Sequence, residues 1–392
     1  MRKSLIPLAL ALCCAGSAGA MEVTLKDAGN LRLQVYGYIK ADLSHDTHHT
    51  APKSGDFVFY VLPEVNGEKD GQTRLAARES RFGLSLFGPD TEAWKTTGKI
   101  EMDFYGGGNA NSYNPRLRLA YVDAAHSSGL SIRMGQDWDT FTEVMARINN
   151  FGALADAGAL GLRRPQARVT QELKLSDNTK FVLKAAVAQT VGEDLDGAGF
   201  DDGSDADVPS VQFNVALHQK LWAEKPARIA FSGHYGQETL DATVSNAITS
   251  VDATDYDTWS VQGSIFLPVT KCMAVQGNVW QGANLDTYYG AIGQGINMTL
   301  GEEIEAIGGW AQLLIDPTDK ISLGLGYSID DPKDEDLNAG MRCKNESIWV
   351  YGAYKFTAAL MGIAEYSQMT TAYLDRDDAT NDRVQISMKY TF

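Results

Sequence analysis

The chain has 392 residues, with 34 basic and 50 acidic side chains and a net charge of −16. Without the basic residues Arg2 and Lys3 of the first segment, 32 bases remain against 50 acids, a net charge of −18. This balance argues against a nucleic-acid partner, which requires a basic face. After that segment, no stretch offers the roughly 18 apolar residues that a transmembrane helix needs.

Residues 1–20 have the pattern of a secretory signal peptide. Arg2 and Lys3 precede a short apolar stretch, and Ala18-Gly-Ala20 forms a small-residue cleavage site. We therefore expect residues 1–20 to be removed. Residues 21–30 are predicted to form a short periplasmic N-terminal segment, and residues 31–392 the folded domain.

From Leu31 onward, apolar and polar residues alternate in short segments, which is typical of strands with one apolar and one polar face. About sixteen such segments follow one another, and the last ends on Tyr390 and Phe392. In the fourth segment, Leu117, Leu119 and Tyr121 are predicted to share the outer face.

The connections alternate between short turns and long loops along the whole chain. Gly88–Thr91 and Ser176–Thr179 are short, whereas residues 44–72, 190–209 and 371–382 are long. Short periplasmic turns and long extracellular loops are typical of bacterial outer-membrane barrels. We therefore predict an all-β fold: a transmembrane antiparallel β-barrel of about sixteen strands in the outer membrane.

The third long loop, around residues 137–164, is polar, rich in Gly and Ala, and longer than an ordinary connection. A barrel of about sixteen strands leaves an aqueous lumen. We predict that this loop folds inward and sets the width and charge of the pore.

Basic residues collect at predicted inward positions on the strands that flank this loop. Rings of Arg or Lys select anions in pores. The predicted pore-lining residues are Arg81, Lys99, Arg116, Arg118, Arg133, Arg164 and Arg168, with Arg78 and Arg163 nearby. The alternative is that they only pair with acids such as Glu79, Glu101, Asp103 and Glu172.

Acidic residues of the loop are predicted to face this basic wall and to create a transverse field across the opening. These predicted constriction residues are Asp137, Asp139, Glu143 and Asp156.

Other features give weaker predictions. The acidic loop from Asp194 to Asp207 lacks EF-hand spacing, so only loosely bound calcium is considered there, and no other cofactor. His45, His48 and His49 lack the fixed spacing of a metal site. The apolar insert Phe57–Leu62 is a candidate contact with a neighbouring subunit. Cys272 and Cys343 could form a disulfide, and no catalytic motif predicts an enzyme.

The sequence resembles the DcaP-like family of trimeric outer-membrane porins. The matching motifs are Tyr36-Gly-Tyr-Ile-Lys-Ala-Asp42, Arg78-Glu-Ser-Arg-Phe-Gly83, Gly135-Gln-Asp-Trp-Asp-Thr-Phe141, Arg164-Pro-Gln-Ala-Arg-Val-Thr170 and the strand that ends at Phe392. The resemblance implies a sixteen-stranded barrel, a homotrimer, and diffusion of small, often anionic solutes such as dicarboxylates. The periplasmic helical segment found in some members is missing or vestigial here.

The predicted function is therefore a water-filled channel for passive diffusion of small hydrophilic solutes, in contact with outer-membrane lipid and lipopolysaccharide. Selectivity for organic anions is a hypothesis based on the arginines. The alternative is an outer-membrane anchor, an adhesin or a barrel enzyme with a closed lumen.

Overall fold

The computed structural model describes residues 21–25, 31–64, 66–109, 112–192, 194–195, 201–223, 225–240, 244–245, 249–250 and 253–392. The predicted signal peptide, residues 1–20, lies outside this range. In the described residues, no helix is long and apolar enough to cross a membrane.

One antiparallel sheet dominates the molecule. Its sixteen strands in the described residues are β1 (Leu31–Asp46), β2 (Gln72–Ala76 and Arg81–Phe87), β3 (Trp94–Asp103), β4 (Arg116–His126), β5 (Leu130–Trp138), β6 (Arg163–Lys174), β7 (Thr179–Ala188), β8 (Ser210–Gln219), β9 (Ala227–Leu240), β10 (Thr254–Pro268), β11 (Met273–Ala283), β12 (Glu305–Thr318), β13 (Ile321–Pro332), β14 (Arg342–Lys355), β15 (Leu360–Tyr373) and β16 (Arg376–Thr391). Each strand pairs with the next, and β16 pairs with β1 from Thr391↔Tyr38 to Arg383↔Asp46. The sheet is therefore closed, as predicted.

Shorter elements lie in the connections. Met21–Leu25, within the predicted periplasmic segment, pairs with the first residues of β1. Small hairpins join Thr50–Ala51 to Tyr60–Val61, Gly108–Asn109 to Ser112–Tyr113, Val244–Ser245 to Thr249–Ser250, and Ile296–Asn297 to Glu302–Glu303. The helices in the described part of the chain are α1 (Asp202–Asp205) and two 3-10 turns, Asp286–Tyr288 and Asp334–Asp336.

The two faces of the sheet differ in polarity. On β1, the side chains of Lys40, Asp42 and Ser44 are buried in the lumen, whereas Ile39 on the other face is 61% exposed. On β11, Val279 is 68% exposed on the outside. An outer band of exposed apolar side chains around a polar interior is the arrangement of a barrel that stands in lipid.

A β-bulge changes the predicted faces of β4. Arg118 and Leu119 together lie opposite one residue of β3, Glu101, and regular pairing resumes at Ala120. The extra residue inverts the alternation, so Tyr121 lies opposite the inward Lys99 and stacks on Arg133. Leu119, opposite the inward Glu101, is buried too, so the sequence prediction that Leu119 and Tyr121 share the outer face with Leu117 is wrong.

The last extracellular connection is also shorter than expected. The stretch from Thr371 to Asp382 was predicted as a long loop, but β15 and β16 continue through it to a turn at Leu374 and Asp375. Cross-strand pairs of polar residues, such as Thr370 and Thr380 with hydroxyl oxygens 3.0 Å apart, continue the pairing of β15 with β16. Because both faces are polar there, the alternation that marks a strand disappears.

Candidate functional site: the third loop and the arginine wall

The third long loop contacts inward side chains of the barrel strands along its length. At its base, the Asp139 N–H donates to the Leu162 carbonyl at 2.8 Å, and the Leu162 N–H donates to the Asp139 carboxylate at 2.7 Å. These two bonds close the loop at the point where it leaves β5 and enters β6. They hold both ends of a segment that otherwise crosses the lumen.

Inward amide side chains of the strands hold the loop along its length. The hydrogen-bonded pairs are Gln212 with the Thr140 N–H (2.8 Å), Gln262 with the Phe141 carbonyl (2.9 Å), Gln276 with the Met145 carbonyl (2.9 Å), and Gln312 with the Arg147 N–H (2.7 Å). On β15, Glu365 accepts from the N–H groups of Asn149 and Asn150. A backbone inside a barrel needs such partners, because an unpaired buried amide is costly.

The far end of the loop docks on the 284–304 loop and on the wall. Trp280 donates to the Gly158 carbonyl at 2.8 Å, and Asp156 N–H donates to the Tyr289 carbonyl at 2.9 Å. Gly158 has φ +110°, and a Cβ there would lie 2.4 Å from the Gly309 carbonyl oxygen. Only glycine fits this close approach without displacing the loop.

The apolar insert of the first long loop covers the third loop within the same chain. Asn150 accepts from the Val58 N–H at 3.0 Å, and the rings of Phe57 and Phe151 lie 5.5 Å apart. Val58 and Val61 are buried. The expected latch onto a neighbouring subunit is therefore wrong, because the lumen of its own barrel buries this insert.

Three predicted arginines form a ladder on the wall opposite the loop. Arg118 lies 2.9 Å from Glu101 and 2.7 Å from Asp103. Arg116 shares Asp103 at 2.8 Å, and Arg81 shares Glu101 at 3.5 Å. Three guanidinium groups thus share two carboxylates, so the ladder keeps a positive charge. These are ion pairs of the kind that the alternative expects, and the selection of anions stays a prediction.

Two further predicted bases, Arg133 and Arg168, pair with Asp137. Their distances to its carboxylate are 2.6 Å each, and Arg133 also contacts Asp123 at 2.8 Å. Lys99 lies over the ring of Tyr36 at 4.8 Å, and no ion pair of Lys99 occurs in the described part of the chain.

Arg164 lies away from this wall. Its side chain is fully buried, 2.8 Å from Asp139 and stacked on Tyr288 at 3.8 Å. This pair anchors the base of the loop. Arg163, next to it in sequence, instead stacks on Trp138 and faces the same cavity as the arginine ladder.

The acids of the loop do not face the arginine ladder. Glu143 points to the opposite side, 3.0 Å from Lys184, 3.4 Å from His218 and 3.6 Å from Arg228. Burial alone would raise the pKa of Glu143, but hydrogen bonds from His218 and Lys184 lower it to about 2. Asp139 is buried at the base of the loop. The predicted transverse field between loop acids and arginines is therefore absent there.

Asp156 is buried at the tip of the loop, away from the wall. Burial and the nearby Asp286 raise the pKa of Asp156 to about 7, against the opposing effects of Arg342 and of the Gly293 N–H. The side of the loop that faces the arginines is instead apolar, with Val144, Ile148 and Phe151.

Between the arginine ladder and this apolar side lies a cavity of about 440 Å³. Its described lining includes four arginines, Arg81, Arg116, Arg118 and Arg163, and one carboxylate, Glu79. Glu79 is itself paired with Lys40. The sequence did not predict Trp138 and Tyr289 in this lining. Trp138 could have been found, because it follows Asp137 in the motif Gly135–Phe141. Nothing in the sequence indicates that Tyr289, from a distant loop, lies in the same lining.

The described residues contain no group of three or more His, Cys, Asp or Glu side chains that could hold a metal ion. Cys272 and Cys343 are both free. Cys272 lies in the short turn after β10, and Cys343 lies near the opposite end of the barrel, at the start of β14. The possible disulfide is thus not formed, because a disulfide requires Cα atoms within about 7 Å.

No protein-family model and no curated protein sequence matches the chain. Solved structures do match. The outer-membrane channel DcaP of Acinetobacter baumannii is 18% identical, with a TM-score of 0.71 over 92% of this chain and 97% of that chain. The anion-selective porin of Comamonas acidovorans is 12% identical, with a TM-score of 0.61 over 92% and 100%. The trimer form of OmpT from Vibrio cholerae is 13% identical, with a TM-score of 0.59 over 92% and 99%.

At these identities the likeness concerns the fold, and it agrees with the resemblance to DcaP-like porins found in the sequence. The chain has the fold of the outer-membrane porins, a closed transmembrane barrel of sixteen antiparallel strands.

Proposed function

We propose that this protein is a passive channel of the outer membrane for small hydrophilic solutes, and that it favours organic anions such as dicarboxylates. The proposal depends on one observation. The cavity beside the third loop is lined by four arginines and by a single carboxylate, which already has a lysine partner.

The arrangement suits a carboxylate-bearing solute. Guanidinium groups form strong, charge-assisted hydrogen bonds with carboxylates. Arg116 uses Nε and Nη2 for Asp103, but it is only half-buried, and the rest of its guanidinium group lines the cavity. Arg81 and Arg163 offer further positive charge on the same lining. The net negative charge of the whole chain matters less than the charge at the narrowest point, because selection occurs where the solute loses most of its water.

The test is the reversal potential of single channels in a salt gradient across a planar bilayer. We expect the wild-type channel to favour anions. The double variant Arg116→Gln/Arg163→Gln should reduce the anion-to-cation permeability ratio several-fold, because it removes two charges from the lining. The matched control is Lys174→Gln/Lys180→Gln, which removes two charges at the short-turn rim.

Two outcomes would contradict the anion proposal. One is cation preference in the wild-type channel. The other is an equal change in the control, which would mean that the lining arginines have no special part in selection.

The alternative, an anchor, adhesin or enzyme with a closed lumen, has one observation in its favour. Buried apolar clusters that include Phe141, Leu160 and Leu285 fill part of the lumen. Swelling of liposomes in isotonic sugar solutions distinguishes the two. A channel lets small sugars enter and the liposomes swell, whereas a closed barrel gives no swelling.

We also propose a homotrimer embedded in outer-membrane lipid and lipopolysaccharide. The comparison with a porin described in its trimer form supports this assembly. Light scattering of the detergent-solubilised protein should give three chains per particle. A monomeric mass would exclude the trimer without affecting the channel proposal.

A further inference from the structure

Aromatic rings form a second surface of the cavity beside the third loop, next to its arginines. Phe151 of the third loop lies 5.5 Å from Phe57 of the first long loop, measured between ring centroids. Phe57 lies 4.9 Å from Phe59, and Phe59 lies 5.4 Å from Tyr289 of the 284–304 loop. All four rings line the cavity, and together they are called the ring surface. Three loops that are distant in the sequence thus bring their rings to one place.

The ring surface is not sealed in the protein interior. Phe57, Phe59, Phe151 and Tyr289 are each half-buried, whereas the neighbouring Val58 is buried. An apolar ring that faces a water-filled lumen loses the free energy that burial would provide. Ligand sites in proteins commonly combine such apolar and aromatic walls with a few charged or polar groups. The ring surface therefore points to a ligand whose apolar part covers it.

The backbone of Tyr289, at one end of the ring surface, is held in an unfavourable conformation. Its φ and ψ are +62° and +40°, in the left-handed region that residues with a bulky side chain rarely adopt. Its N–H donates to the Asp286 carbonyl at 3.0 Å, and its carbonyl accepts from the Asp156 N–H at 2.9 Å. Strained residues of this kind are concentrated at sites that bind ligands. A binding role for the Tyr289 ring agrees with this pattern.

Positive charge lies directly beside the ring surface. The guanidinium carbons of Arg116 and Arg118 lie 5.7 and 5.9 Å from the centre of the Phe151 ring. Arg163 stacks on Trp138 at 4.8 Å, and both side chains line the same cavity. A solute that places a carboxylate on Arg116 therefore brings the atoms behind that carboxylate against Phe151.

The four arginines of the described lining lie on one side of the cavity. Arg81, Arg116 and Arg118 form the ladder, and the charges of Arg116 and Arg118 act on Arg163. The third loop presents apolar side chains on the other side. A solute with a carboxylate at each end would turn one of them toward apolar side chains, where a charge without a partner is costly. An anion with its charge at one end and a flat apolar body at the other fits both sides.

We propose that the cavity binds aromatic monocarboxylates, with the carboxylate on Arg116 and the ring against the ring surface. The inference rests on the proposed anion channel and narrows its substrate class. Among organic anions, benzoate-like solutes bind here more tightly than aliphatic dicarboxylates. Aromatic rings favour offset or edge-to-face contacts with centroids about 4.5–7 Å apart, and these contacts add to the burial of apolar area.

The experiment uses the purified full-length protein in a planar bilayer, with potassium chloride at neutral pH on both sides. The probes are benzoate, cyclohexanecarboxylate and succinate, and the measurement is the concentration of each that halves the chloride conductance. Cyclohexanecarboxylate has the same charge and nearly the same size as benzoate, so it isolates the effect of the aromatic ring. We expect benzoate to block at a concentration roughly threefold to tenfold lower than either of the others, because aromatic pairs add stabilisation of this size.

Two variants test the ring surface on different loops. Phe151→Leu and Phe59→Leu each keep an apolar side chain but remove one ring, so each should reduce the advantage of benzoate over cyclohexanecarboxylate. A loss that both variants share does not arise from misfolding of one loop, because the two residues belong to different loops. Phe213→Leu is the matched control, since Phe213 lies on the lipid-facing side of β8 and is 39% exposed. This control should be blocked like the wild type.

Equal block by benzoate and cyclohexanecarboxylate, or no block by either, would overturn the inference. Tighter block by succinate would do the same, as would an unchanged advantage of benzoate in both ring variants. Each of these results leaves the anion proposal standing when the reversal potential shows anion preference. Cation preference in the reversal potential would instead overturn the anion proposal and this inference with it.

Discussion

At the scale of single residues, partners decide what an arginine does. Arg116 and Arg164 are both basic residues at predicted inward positions, yet one lines a cavity and the other is fully buried against Asp139. Strand alternation predicts which side of the wall a residue faces. It cannot predict how deeply other segments cover that residue, because these segments come from distant parts of the chain.

Asp156 gives a prediction about pH. Burial raises the pKa of Asp156 from its ordinary 3.8 to about 7, and the charged groups around it are Asp286, Asp330 and Arg342. The folded chain thus binds this proton more tightly than the unfolded chain does. Its contribution to stability is fully present below 3.8 and is lost as pH rises through about 7.

We therefore expect proteolytic cleavage within the third loop to become faster between about pH 4 and pH 7. Asp156→Asn, which stays neutral, should show a flatter pH profile. The exposed Asp177→Asn should behave like the wild type. An identical pH profile in Asp156→Asn would exclude this carboxyl group as the cause.

At the scale of elements, the third loop is part of the wall rather than a free lid. It contacts inward side chains of β8, β10, β11, β12 and β15. Its inward course could be predicted from its length and position. The burial of its acids could not be predicted, because the bases near them, such as Lys184 beside Glu143, lie on strands that sequence alone does not place beside the loop.

Gly158→Ala tests whether the position of the third loop against the barrel wall determines the width of the pore. The added Cβ meets the Gly309 carbonyl oxygen at 2.4 Å, so the loop must move away from the wall. We expect a change in single-channel conductance and a weaker anion preference. Gly67→Ala is the control, since it also has positive φ but no atom within 4 Å of the added Cβ. Equal conductance in both variants would mean that the loop does not limit flow.

At the scale of the whole molecule, the first and last strands must meet to close the sheet. Arg383 of β16 and Asp46 of β1 form a buried ion pair across this seam at 2.6 Å, and Arg383 also donates to the Asp56 carbonyl at 3.0 Å. The sixteen strands, their closure and the inner and outer faces could be predicted, because lipid on one side enforces a period of two. The bulge at Leu119 could not be predicted, because one extra residue in a strand does not change the composition of the sequence in a recognisable way.

Arg383→Gln should destabilise the closed barrel strongly. It leaves Asp46 buried without its cation, which costs about 3–5 kcal/mol for a buried pair. The expected result is a lower denaturant midpoint and a lower temperature for loss of the compact band on gels. Arg376→Gln, at the exposed start of β16, should leave both unchanged. If both variants unfold alike, the seam pair is not a special determinant of closure.

The way in which the third loop is held has a consequence for the order of assembly. Its anchors come from strands that are up to 238 residues away in sequence, such as Ser387 for Asn149. Contacts of such long range form only after the strands that carry them have aligned, because loop closure must precede them. We therefore expect the narrow passage to be the last part of the barrel to form. In that order of events, a newly closed barrel has a wider lumen until the third loop docks.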